Sequence, residues 1–159
     1  MFRLELQPVL DPHSAFSIAS MLAMLGWLAL IVSLFIASAR PTAWMLARWV
    51  IPGLIGLAYM LLFWASWGNT PGGGFGSVAQ VRALFANDNA LAAGWLHYLA
   101  FDLFFGSWIA ELGLKARIPA LLLIPCLLLT FLLGPTGLVL FLILRLALRG
   151  RAQLSESAQ

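Results

Sequence analysis

His97 and Asp102 stand in the stretch GWLHYLAFDLFFGSW, residues 94–108, where nearly every neighbour is apolar. An imidazole and a carboxylate can exchange protons with a bound molecule, the elementary equipment of acid-base chemistry. At about 100° per residue on a helix, the two lie roughly 140° apart. They therefore flank an aromatic stripe of Trp95, Tyr98, Phe101, Phe105 and Trp108 and do not stack on each other. Tyr98 and Asp102, four residues apart, are placed for a phenol to bond the carboxylate. The opposite side gathers Leu96, Leu99, Ala100, Leu103, Phe104, Ser107 and Ala110, which reads as a plain lipid-facing surface.

The setting makes these groups costly. The chain has 159 residues, 62% of them hydrophobic and 9% charged, with a mean hydropathy of +0.96. Soluble domains average about 45–50% apolar and about 25% charged residues, so the composition is that of an integral membrane protein. A carboxylate near the centre of a spanning helix costs about 2.5–3.5 kcal/mol on insertion scales, so such residues usually face an interior and serve a function. The alternative is a packing role, with Asp102 protonated or paired with an arginine. Thr130 and Arg145 are the polar partners on offer, although Arg145 can also snorkel to the interface.

The apolar residues form blocks near the ~20 residues needed to cross the hydrocarbon, and helices satisfy their own backbone there. The expected fold is all-α, a single domain of four transmembrane helices over 14–149, between an N-terminal segment 1–13 and a polar tail 150–159. Helix one covers about 14–39, with Ser14 as its cap and Arg40-Pro41 as its stop. Helix two covers 44–67, kinked at Pro52-Gly53. The Gly-rich loop 68–89 contains one short amphipathic helix in SVAQVRALF, suited to a lid or a surface-lying segment. Helix three covers 90–112. Helix four, 117–149, is longer than a membrane requires and bends near Gly134-Pro135, two antiparallel spans being too long for that stretch.

Four spans put both termini on one side, read as cytoplasmic in a bacterial inner membrane. The basic residues then divide evenly, with Arg40, Arg48, Lys115 and Arg117 on one face and Arg3, Arg82, Arg145, Arg149 and Arg151 on the other. The N-terminus lacks a basic leader and a cleavage site, so Met1 is read as the mature start.

Several chemistries fall away. Cys126 is the single cysteine, which excludes an intrachain disulfide and a multi-cysteine zinc site. One central His and one Asp are too few for a metal centre, so no metal and no cofactor are expected. GGGFG lacks the Lys-Ser/Thr of a phosphate loop and reads as a flexible turn. The net charge of +3 suits anionic headgroups rather than nucleic acid. Expected partners are membrane lipids and a lipophilic small molecule, with self-association left open.

The run WLHYLAFDLFFGSWI, followed by IPCLLLTFLLGPTGLVLFLILR, resembles the abscisic-acid-deficient-four-like (neoxanthin synthase-like) membrane family. The resemblance is strong over residues 75–148, and general in character over the first two spans. Matching positions are His97, Asp102, Trp108, Pro125, Cys126, Gly134, Pro135, Gly137 and Arg145, while Ser107 stands where an arginine is common. It implies a membrane protein of carotenoid or isoprenoid metabolism, in which an epoxycarotenoid is isomerised to an allenic alcohol without redox change. A protonated Asp102 would be the acid and His97 the base, with Trp95, Tyr98, Phe101, Phe105 and Trp108 lining a polyene channel. Two other readings use the same residues: a noncatalytic pigment- or lipid-binding or assembly protein, and a proton or small-molecule transporter.

Overall fold

A computed structural model describes residues 10–157, and the side chains of residues 10–148. Arg3, most of the N-terminal segment, and the side chains of Arg149, Arg151 and the polar tail lie outside the described residues. Within them the fold is all-α, with six helices: α1 Pro12–Phe35, α2 Ala37–Ser66, α3 Val78–Leu84, α4 Asp88–Lys115, α5 Ala120–Leu133 and α6 Pro135–Ser157. Two of them, α1 and α2, are both long and apolar enough to cross a membrane.

The start of α1 is capped by Asp11, not Ser14: the Asp11 carboxylate accepts from the Ser14 backbone N–H at 2.8 Å, and Pro12 fills the first turn. Arg40-Pro41 does not close helix one. The chain turns at Ile36, and the two residues enter the first turns of α2, where a missing proline N–H costs nothing. Pro52 lies deeper in α2, where it deprives the Arg48 carbonyl of its donor. The helix answers by widening into a π turn over Leu46–Val50, immediately upstream of the proline.

The core of α1 is a seam of Ala15, Ala19, Ala23, Gly26, Trp27 and Leu30, while Met21, Met24, Leu25 and Leu28 are exposed. Small residues let α1 lie close along α4, as in membrane bundles where apolar surroundings supply no hydrophobic drive. Phe16 stacks near Trp95 at 5.4 Å and the Trp27 ring lies on Gly106, so α1 runs in the same direction as α4. α2 runs the opposite way. Tyr59 meets His97, and near the other end Arg48 bonds the hydroxyl and carbonyl of Ser107 and pairs with Glu111 at 2.6 Å.

The fourth block differs most from expectation. Its helix is not long and bent but broken at Gly134, with φ +48° and ψ −100°. In a continuous helix Cys126 and Gly137 would lie about 16 Å apart along the axis. Instead Gly137 rests on the Cys126 carbonyl and on Thr130, so α6 turns back beside α5. Its missing Cβ is what permits that approach.

This hairpin is docked on α4. Leu123 packs on Gly113, Gly134 sits against Asp102, and Phe141 meets Trp108 at 5.9 Å. The hairpin therefore enters from the Lys115 end of α4, turns beside its middle and returns. As a result the start of α1 and the far end of α6 lie at opposite ends of the bundle, against the expectation of termini on one side.

Candidate functional site

α4 begins with Asn87, whose side chain accepts from the N–H groups of Asn89 and Ala90, and continues for 28 residues. Its two faces have opposite fates. Leu96, Leu103, Ile109 and Ala110 are completely buried, with Ala100, Gly106 and Ser107 beside them. The side read as lipid-facing is thus the one packed against α1 and α2. Trp95, His97, Tyr98, Phe101 and Phe105 are exposed, and Asp102 is half-buried.

The exposed face is not simply an outer wall. A cleft of about 330 Å³ is lined by His97, Tyr98, Phe101, Asp102 and Phe105 from α4, and by Thr130, Gly134, Pro135 and Leu138 from the hairpin. Both candidate acid-base groups therefore border one space. His97 is held between rings, 4.6 Å from Phe101 and 5.8 Å from Tyr59. Asp102 faces the hairpin elbow: a Cβ on Gly134 would lie 2.9 Å from its Oδ1. Glycine is needed there for its backbone angles and for room beside the carboxylate.

Thr130 brings a buried hydroxyl to the cleft, its proton donated to the Cys126 carbonyl at 2.8 Å. Its oxygen then faces the cleft chiefly as an acceptor. None of the expected partners bonds Asp102 among the described residues: Thr130 donates to Cys126, Arg145 forms no ion pair with the carboxylate, and Tyr98 makes no hydrogen bond to it. The carboxylate stays available to a bound molecule.

The remaining expected residues are divided. Trp95 lines two neighbouring clefts, one with Phe16, Phe85 and Asp88, the other with Tyr98, Asp102 and Phe131, and its indole N–H donates to Ser20. Trp108 packs edge-on against Phe141 and does not line the cleft shared by His97 and Asp102. Tyr98 borders all of these spaces, together with a third side cleft under Phe75, Leu84 and Phe85. The loop helix α3, capped by Ser77, supplies that cover from the end opposite Lys115.

Tyr59 is the site residue that sequence reasoning missed. Its signal was present: it is one of 2 tyrosines in the chain, and it sits in mid-helix rather than in an interfacial belt. Among the described residues, no group of three or more His, Cys, Asp or Glu side chains is arranged to hold a metal ion.

No curated protein and no solved structure matches this chain. A family model, ABA DEFICIENT 4-like, matches residues 14–141, taking in both early helices as well as α4, α5, the elbow and the start of α6. That span carries the whole cleft, and the chain belongs to the ABA DEFICIENT 4-like family, which relates it to neoxanthin synthase-like carotenoid metabolism.

Proposed function

We propose that this protein is an intramembrane, non-redox isomerase of a carotenoid or similar isoprenoid, acting in the cleft between α4 and the hairpin elbow. The observation that carries the reading is the convergence of His97 and Asp102 on one apolar space at mid-helix, with Asp102 free of partners among the described residues. Opening an epoxide to an allenic alcohol breaks a C–O bond and a vinylic C–H bond and forms an O–H bond. Asp102 in its acid form gives a proton to the oxygen as His97 removes the vinylic proton, and transfer from His97 back to Asp102 resets the pair. Phe101, Phe105 and Tyr98 hold the polyene and keep water from the reacting carbons. Cofactor and metal play no part in this scheme.

A noncatalytic pigment-binding role is the second reading, supported by the ring stacking of His97 between Tyr59 and Phe101, which a pure binding surface would also use. Carotenoid extracts from cells with the gene, without it, and with Asp102→Asn or His97→Ala separate the two. The isomerase reading expects a product present only with the unaltered gene. Identical profiles in all four strains, with pigment still copurifying with the protein, would leave binding as the function.

A further inference from the structure

The reversal at Gly134 changes how charge is distributed over the molecule. α1 and α4 run one way and α2 the other, while the hairpin leaves and regains the Lys115 end of α4. Arg40, Arg48, Lys115 and Arg117 therefore gather at one end, where Glu111 pairs with Arg48 and Lys115 and leaves Arg40 and Arg117 outside any ion pair among the described residues, and α6 carries Arg145 back towards it. Among the described side chains, Arg82 stands apart at the other end, in the company of Asp11 and Asp88. The even division of basic residues expected from four spans becomes a strongly one-sided one.

Two details make the basic rim suited to a ligand outside the protein. Arg40 spends its Nε on the Ser33 carbonyl at 3.1 Å, and among the described residues its terminal nitrogens have no partner. Arg117 is, among the described residues, the non-glycine residue with positive φ, at +56°, in the position after α4 where glycine is ordinarily preferred. It holds that conformation with its side chain exposed beside Lys115. The first arm of the hairpin is short: the 14 residues of α5 reach about 21 Å, less than the ~30 Å of hydrocarbon, and the longer α6 starts beside Asp102 at the middle of α4 and returns towards the Lys115 end. Its non-helical elbow is tolerable at depth because it is packed against Asp102 and lines a cleft.

We propose that α4, 28 residues long and packed against the two apolar helices α1 and α2, crosses the membrane beside them, that α5 and α6 form a re-entrant hairpin, and that the Arg40–Arg117 rim docks on anionic headgroups of the cytoplasmic leaflet. The start of α1 and helix α3 then face the opposite side. The positive-inside bias sets the orientation, and the surface potential of anionic lipid supplies the attraction.

Single-cysteine variants Thr70→Cys, Ala116→Cys and Ser155→Cys, labelled with a membrane-impermeant maleimide on intact spheroplasts of a bacterial host, test the arrangement against the background of buried Cys126. Thr70→Cys is expected to react from outside, with Ala116→Cys and Ser155→Cys reacting only after permeabilisation. Ser155 reacting from the same side as Thr70 overturns the re-entrant hairpin, and a fully inverted pattern overturns the orientation. For the lipid, the purified protein is melted in nanodiscs of phosphatidylcholine with and without phosphatidylglycerol. The anionic discs are expected to raise Tm, and an Arg40→Gln/Arg117→Gln variant, whose Tm in neutral discs falls with the loss of the Arg40–Ser33 bond, is expected to show no increment over that neutral value. An increment unchanged in the variant overturns the docking surface.

Discussion

The two faces of α4 are built from the same 28 residues and do different work. One face is small and aliphatic: Ala100, Leu103, Gly106, Ser107 and Ala110 fit under α1 and α2, and the Trp27 ring edge rests on Gly106. The other is aromatic and polar, and it leaves space, with His97 and Asp102 bordering a cleft that the hairpin only partly covers. In water the apolar face of such a helix would be inside. In a bilayer both surroundings are apolar, so close packing selects the buried side through small residues, and polarity marks the side that keeps a cavity.

The sharpest break in this comparison is chemical. Asp102→Asn removes the proposed acid while keeping the shape of the cleft, so on the isomerase reading carotenoid conversion is expected to fall by about 100-fold or more, the usual scale of a lost general acid. Thermal stability should stay close to that of the unaltered protein, because Asp102 bonds no other described residue. Conversion assayed in membranes and Tm measured on the same preparation check both halves. A large drop in Tm with proportionate loss of conversion would move Asp102 to the packing face in kind.

The opposite break is mechanical. Gly106→Val would push a branched side chain into the Trp27 ring, and overpacking of this kind typically costs about 1–3 kcal/mol. Expected is a lowered Tm with the residual folded fraction still converting substrate. Activity lost without any loss of Tm would show that the small-residue seam is part of the site.

These two experiments bear on what the sequence could tell. The first three helical blocks, the short helix after Ser77 and the placement of His97 and Asp102 around one aromatic stripe were readable from periodicity, whereas the cap of α1 fell to Asp11 and not to Ser14. Which side of α4 was buried was not, because Leu and Ala look equally suited to lipid and to a protein neighbour. Gly106 and Gly113, seven residues apart, were the available sign: each is covered by a large side chain, Trp27 or Leu123. The hairpin was hidden for a related reason. In an unbroken apolar run a Gly-Pro pair announces a break but not its angle, and the reversal is decided by Gly137 fitting onto Cys126 and Thr130.

Gly134→Ala joins the two faces in one test. A methyl group there meets both a sparsely allowed backbone conformation, costing about 1–3 kcal/mol, and the Asp102 carboxylate. The carboxylate is the movable partner, so it should swing away from the elbow. The expected outcome is a modest Tm decrease with a conversion loss larger than that decrease explains. Pigment still copurifying with this variant would separate a displaced acid from a collapsed cleft.

The smallest effect belongs far from either face, at the start of α1. The Asp11 carboxyl is held below the usual carboxylate range by its hydrogen bonds to the Ser14 side chain and backbone, with burial working weakly the other way. A group whose folded pKa is depressed stabilises above its ordinary titration range and loses that contribution as pH falls through the depressed value. The first turn of α1 should therefore show constant amide protection from neutral pH down to about pH 4, then fray on further acidification. Asp11→Ala should fray it at every pH, read as faster hydrogen exchange at Ser14 and Ala15, with conversion and overall Tm nearly unchanged. Because Phe16 stacks on Trp95 one turn further on, exchange that spreads past Phe16 into the α4 contact would mean that the cap also holds the outer edge of the aromatic face.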